Sequence, residues 1–172
     1  RERTCREKRR QPKPPGARAS NCLERLVSMT EVAFHFNAPN KLAYACRLLR
    51  KAVGSGSRVV VTAGPNELKQ LDGLLWTFSQ LDFVPHALQS APADVVAASP
   101  VILSESVADA PHQQVLLNLG SRVPDGFDRF ERLIEVVSLD ETDRQLARDR
   151  WKHYADHGYA ITRHDLNLKG AN

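Results

Sequence analysis

Residues 32–63, VAFHFNAPNKLAYACRLLRKAVGSGSRVVVTA, place a strand, a helix and a second strand in immediate succession. Val32 to Phe36 alternates apolar bulk with Ala and His, as a strand does, and puts His35 on a sheet face. Pro39 and Asn40 then open a helix. Leu42, Ala45, Leu48, Leu49 and Ala52 recur at helical spacing until Gly54, with Cys46 among the core positions. Arg58 to Ala63, RVVVTA, is a short β-branched run, the mark of a strand covered on both faces. The unit is therefore βαβ, which implies parallel pairing.

The alternation continues. Gly64 to Asn66 turns into a second helix, with Leu68, Leu71, Leu74 and Leu75 predicted inward and Trp76 near its end. Val101–Leu103 and Val115–Leu119 read as strands, Phe127–Arg132 as a short helix, and Leu133–Val137 as another strand. A long helix over Asp140–His157 follows, then a last strand at Tyr159–Thr162 and a tail from Arg163 to Asn172. This pattern predicts a three-layer α/β domain over residues 29–172. Its sheet is open and largely parallel, with helices on both faces, and it is Rossmann-like in layering without a nucleotide site.

The long helix carries the densest positive charge of its region. Ser138 and Glu141 match a capping box, Asp140 and Asp143 complement the positive helix end, and Gly158 supplies a left-handed stop. At 100° per residue, Leu146, Ala147 and Tyr154 share one sector, which should pack. Arg144, Arg148, Trp151 and Ala155 form a separate stripe, predicted to face outward. Two guanidinium groups and an indole one turn apart suit a partner carrying carboxylates and an apolar side chain. A solvated charged face is the plainer reading of the same pattern.

The net charge of +4 and pI near 9.2 point toward nucleic acid until the chain is divided. Residues 1–28 hold nine Lys or Arg against three acidic residues, which leaves fifteen against seventeen for residues 29–172. The domain itself is mildly acidic and lacks the broad cationic surface that strong phosphate binding uses. Residues 1–28 are expected to be a disordered basic extension, non-native or a start read too early, with Met29 as the natural start. A nucleic-acid-binding arm is the functional alternative for it. The three cysteines, Cys5, Cys22 and Cys46, make no Cys-x-x-Cys pair and fit a reducing, cytoplasmic setting. No apolar run reaches the length of a membrane span.

Catalytic signatures are missing where this fold would carry them. The turn TAGPNELK after the second strand has no phosphate-cradling Gly-x-x-x-x-Gly-Lys, and no Gly-x-Ser-x-Gly elbow occurs. His153 and His157 are four apart on one helix without the glutamate of an HExxH site, and read as a surface pair. No cofactor and no metal is expected. An enzyme holding a small phosphorylated metabolite at the sheet's carboxyl edge is the alternative.

Asp82–Leu88, DFVPHAL, is aromatic and apolar yet too short for its own core. Pro85 excludes a central sheet position, so the segment is expected at an edge or in a surface loop presenting Phe83 and Val84. The blocks LDGLLWTFSQLDFVPH (Leu71–His86) and QLARDRWKHYADHGY (Gln145–Tyr159), with KLAYACRLLRKA and FERLIEVVS in the same order, resemble the chi subunit of bacterial DNA polymerase III holoenzyme. The resemblance spans Met29 to about Leu166. It implies a non-catalytic accessory subunit that joins psi of the clamp loader to the acidic carboxyl-terminal tail of single-stranded DNA-binding protein, touching DNA only indirectly. On the matching positions it implies a tail site at Val137, Arg144, Arg148 and Trp151. It implies a psi surface at Phe83, Val84, Pro85 and His86. Where many relatives carry Lys and Tyr, Arg144 and Trp151 keep a cation and an aromatic.

Overall fold

Asn40 starts the first helix: its side-chain oxygen accepts the Ala43 N–H at 3.0 Å, setting Lys41–Gly54 (α1) behind the strand Glu31–Ala38 (β1). The computed structural model describes residues 29–167, so residues 1–28 and 168–172 lie outside the described residues, and with them the basic extension and the end of the tail. After α1 come Val59–Thr62 (β2), Pro65–Thr77 (α2), His86–Leu88 (β3), Ala93–Ala98 (α3), Val101–Ser104 (β4) and Val115–Asn118 (β5). A 3-10 turn at Phe127–Arg129 leads to Arg132–Ser138 (β6), Glu141–Asp156 (α4) and Ile161–Asp165 (β7).

The strands pair in the order β3-β4-β2-β5-β6-β1-β7, and every pairing is parallel. The β-branched run at β2 lies central and is buried on both faces, which is why it reads as continuous apolar sequence rather than alternation. Val59 and Val61 point into a core roofed by α1 and α2 through Ala45, Cys46, Leu49, Leu68, Leu71 and Leu75. Val60 points into the opposite core, with Val96 of α3, Ala147 and Tyr154 of α4, and Phe127. These are the three layers. Burial pushes the Cys46 thiol up to about 11, so it packs as a small apolar group. Among the described residues no helix is long and apolar enough to cross a membrane.

Several sequence expectations need correction. Leu74 is exposed beside Trp76, because α2 buries only Leu68, Leu71 and Leu75 and its outer face turns to solvent. The edge position expected for Asp82–Leu88 holds, with His86–Leu88 as the edge strand β3, whereas Ala93–Ala98 is a short helix that the pattern missed because its alanines and single buried Val96 give no periodic signal. The predicted helix at 127–132 is one 3-10 turn, because Arg132 already belongs to β6. The last strand starts at Ile161 and continues to Asp165, which places Arg163 in the sheet rather than in a tail.

Candidate functional site

Helix α4 is held by its first turn and its inner face. Asp140 caps it by accepting the Asp143 N–H at 3.0 Å. The predicted Ser138–Glu141 capping box does not form. Ser138 instead donates its backbone N–H and its hydroxyl to Asp143, each at 2.8 Å, and Lys41 Nζ joins the same carboxylate at 3.1 Å. Burial pushes the Asp143 carboxyl up, but the Ser138 donors and Lys41 outweigh it and hold the group below the ordinary value. At the other end Gly158 takes φ 79°, the left-handed stop. Ala147, Arg150 and Tyr154 form the buried face.

Arg150 is an inward residue that the charge pattern did not reveal. Its Nε donates to Glu135 of β6 at 3.0 Å, Tyr154 donates to the same carboxylate at 2.7 Å, and Asn118 of β5 at 2.9 Å. Burial pushes Glu135 upward, against the pull of Arg150 and the other donors. This polar network fixes the rotation of α4 over the sheet. The stripe of Arg144, Arg148 and Trp151 is aimed accordingly.

That stripe is one wall of a groove of about 430 Å³ lined by Phe36, Val137, Arg144, Ala147, Arg148, Trp151 and Arg163. All four positions predicted for the tail site are thus together at the carboxyl ends of β6, β1 and β7. Trp151 does not face outward as expected: its indole is half-buried, 4.9 Å from the Phe34 ring and 6.0 Å from Phe36. Arg148 Nη1 donates to Gln145 at 2.9 Å and Glu141 at 3.2 Å. Arg144 donates to the Asn37 side-chain oxygen at 3.1 Å, and Asn37 donates onward to Asp165 at 2.9 Å. Asn37 sits at φ 64° where the β1 register shifts, a conformation that asparagine tolerates better than most residues. Phe36 and Arg163 belong to the groove but escaped sequence reasoning, since only the parallel neighbours β6-β1-β7 bring them to α4.

A second surface lies at the end of α2. Trp76 and Phe83 are exposed with ring centroids 5.0 Å apart, and Leu81 is almost wholly in solvent. Val84, expected to be presented, is instead buried at 2% exposure and packs into the α1–α2 core. The reason is alternation: Phe83 and Pro85 point out, so Val84 points in. His86 Nδ1 lies 2.7 Å from the Val84 carbonyl oxygen, and its Nε2 lies 3.3 Å from the Asp72 carboxylate, so the ring is locked beneath Trp76.

The carboxyl edge of β2, β5 and β6 forms a separate crevice lined by Lys41, Gly64, Glu67, Asp140 and Asp143 among others. At the start of α2, where a parallel α/β sheet could seat a phosphate, the Glu67 carboxylate folds back so closely that a Cβ on Gly64 would lie 2.5 Å from it. Among the described residues no group of three or more His, Cys, Asp or Glu could hold a metal ion.

The family model of the DNA polymerase III chi subunit, HolC, matches residues 29–162. The chain belongs to the DNA polymerase III chi subunit family. It is 34% identical to DNA polymerase III subunit chi of Pseudomonas aeruginosa over 143 residues, covering 80% of this chain and 98% of that one. The chi subunit of Escherichia coli is 29% identical over 123 residues, covering 67% of this chain and 79% of its own. In overall shape the chi-family domain is similar to the Saccharomyces cerevisiae Dbp5 C-terminal domain, with a TM-score of 0.53 at 14% identity over 80% of this chain and 90% of that one. That likeness concerns the α/β layering alone. The Trp76–Phe83 surface and every residue of the α4 groove lining except Arg163 fall within the residues the chi family model matches.

Proposed function

We propose that this chi-family chain is a non-catalytic accessory subunit of the replicative polymerase assembly in the bacterial cytoplasm. Its α4 groove takes the acidic carboxyl-terminal tail of single-stranded DNA-binding protein. Its Trp76–Phe83 surface, with Pro85 and the buried Val84 and His86 as support, takes psi and through it the clamp loader. DNA is reached only through these partners during replication. The observation that carries the reading is the α4 groove itself, in which arginine side chains rim a slot floored by Val137, Phe36 and Trp151. A tail rich in Asp and ending in Pro and an aromatic residue supplies carboxylates for the rim and a ring for the slot.

The alternative of a metabolite enzyme is disfavoured because Glu67, Asp140 and Asp143 crowd the crevice a phosphate would enter. Direct nucleic-acid binding through the basic extension concerns residues outside those described. The experiment is a pull-down of this chain with single-stranded DNA-binding protein, whole and lacking its acidic tail, with psi as a second bait. Capture of the whole protein and of psi, and loss of the truncated one, is expected. Equal capture of the whole and truncated forms removes the tail reading.

A further inference from the structure

Arg163 enters the α4 groove from β7, the wall opposite the helix. Its guanidinium carbon lies 5.4 Å from the Phe36 ring centroid and 5.8 Å from that of Trp151. The side chain is therefore held over the rings that floor the slot. A guanidinium attracted to aromatic faces spends none of its N–H groups on them and can still offer these to an acceptor.

The three arginines of the groove differ in what already neutralises them. Arg148 lies 3.2 Å from Glu141, and Arg144 lies 3.8 Å from the same residue. Arg163 takes part in no ion pair among the described residues. The acid on its own strand face, Asp165, commits one carboxylate oxygen to the Asn37 amide at 2.9 Å and to the Asn167 N–H at 3.0 Å. Arg163 is thus the groove cation without an ion pair of its own among the described residues, with Asp165 acting on it only at longer range, set beside an apolar floor.

We propose that Arg163 forms a carboxylate subsite of this groove, set against the slot of Phe36 and Trp151. The proposal rests on the tail-binding reading and adds a contact that the α4 motif does not contain. Because the guanidinium lies over the slot's own rings, its carboxylate comes from the residue that fills the slot or from one close to it. The peptide's terminal carboxylate and a nearby aspartate side chain are the two sources of that chemistry.

The test is fluorescence anisotropy with a labelled peptide of several Asp residues followed by Pro and a terminal Phe, titrated with the parent, Arg163→Gln and Arg163→Lys proteins. Arg163→Gln should weaken binding by at least about tenfold and flatten its salt dependence, with an unchanged melting temperature because the side chain is on an exposed edge strand. Arg163→Lys, which keeps the charge but not the flat fork, should recover part of the loss. Repeating the titration with a carboxyl-amidated peptide and with Asp→Asn peptides identifies the source: the Arg163→Gln deficit should disappear with the peptide that lacks the partner carboxylate. A parent that binds while Arg163→Gln matches it in affinity and salt dependence overturns the subsite and leaves the tail site standing. So does a deficit of undiminished size on every modified peptide. A parent that does not bind overturns the tail reading itself.

Discussion

Arg150 Nε and Glu135 Oε2 are 3.0 Å apart across the α4–β6 interface, with side-chain exposures of 2% and 0%. Neither charge has water to fall back on, so Glu135 depends on Arg150 and on the Tyr154 and Asn118 donors, and Arg150 depends on Glu135 and on the Ser121 carbonyl. Removing Arg150 leaves a carboxylate sealed in the core. Arg150→Met should therefore destabilise the domain by about 3–5 kcal/mol at neutral pH in urea unfolding. Burial already pushes the Glu135 carboxyl up, and without Arg150 it rises further. A carboxyl whose folded pKa exceeds its unfolded value near 4.3 binds its proton more tightly in the fold, so the variant should regain stability as pH falls from 7 toward 5. A loss below about 1 kcal/mol with no such recovery would mean the pair does not pin α4.

His112 should give the parent protein a pH dependence of its own. Both ring nitrogens are buried without a hydrogen-bond partner among the described residues. Burial, with Arg58 as a lesser cause, lowers its pKa to about 4. The unfolded imidazole, near 6.5, takes a proton that the fold rejects, so stability is complete above 6.5 and declines as pH falls toward 4. The ring is only partly buried, which reduces the effect to on the order of 1 kcal/mol. Melting temperatures at pH 7 and pH 5 should diverge less for His112→Leu than for the parent. Equal divergence in both proteins excludes His112 as the cause.

The sequence made the βαβ opening and α4 legible because both rest on repeats: β-branched runs for the strand β2, helical spacing and a glycine stop for α4. It did not reveal strand order, which depends on contacts between residues more than a hundred positions apart, such as Glu31 with Arg132 in the β1–β6 register. That order is what delivers Phe36 and Arg163 to the groove. Arg150 was hidden for a different reason. A charged residue on a charged helix reads as solvated, and only the buried Glu135 opposite makes its inward position affordable. Trp151 belongs to both descriptions, since one edge of the indole packs on Phe34 while the other lines the groove.

The proposed psi surface separates two adjacent residues. Phe83 is 55% exposed and packs at a tilt against exposed Trp76, whereas Val84 is 2% exposed in the core. Phe83→Ala should leave the melting temperature nearly unchanged and weaken co-purification with psi by about 2 kcal/mol, roughly thirtyfold. Val84→Ala should lower stability by roughly 2 kcal/mol, since it leaves a cavity among Leu71, Leu75 and their neighbours. Parent-like psi binding by a well-folded Phe83→Ala protein would take the psi assignment away from this surface.

Arg148 is the decisive position for the proposed tail site in the α4 groove. Its side chain is 62% exposed and its internal contacts are to Gln145 and Glu141, so no core packing depends on it. Arg148→Glu removes a cation from the centre of the groove and adds a charge like those of an acidic peptide. The new carboxylate also lies two turns from Glu141 and repels it, yet at such exposure the stability cost should stay near 0.5 kcal/mol. Titration of the labelled acidic peptide should show a loss of more than about thirtyfold, the equivalent of about 2 kcal/mol. Arg144→Glu should act in the same direction, aggravated by repulsion from Glu141 and by loss of the Asn37 bond. Lys152→Glu is the control, exposed on the same helix but absent from the groove lining, and should cost much less. Binding by the parent should weaken as salt is raised, because exposed charges are screened over about 8 Å at physiological ionic strength. If Arg148→Glu binds the peptide like the parent at low salt and melts at the same temperature, the stripe on α4 is a solvated face and the tail binds elsewhere.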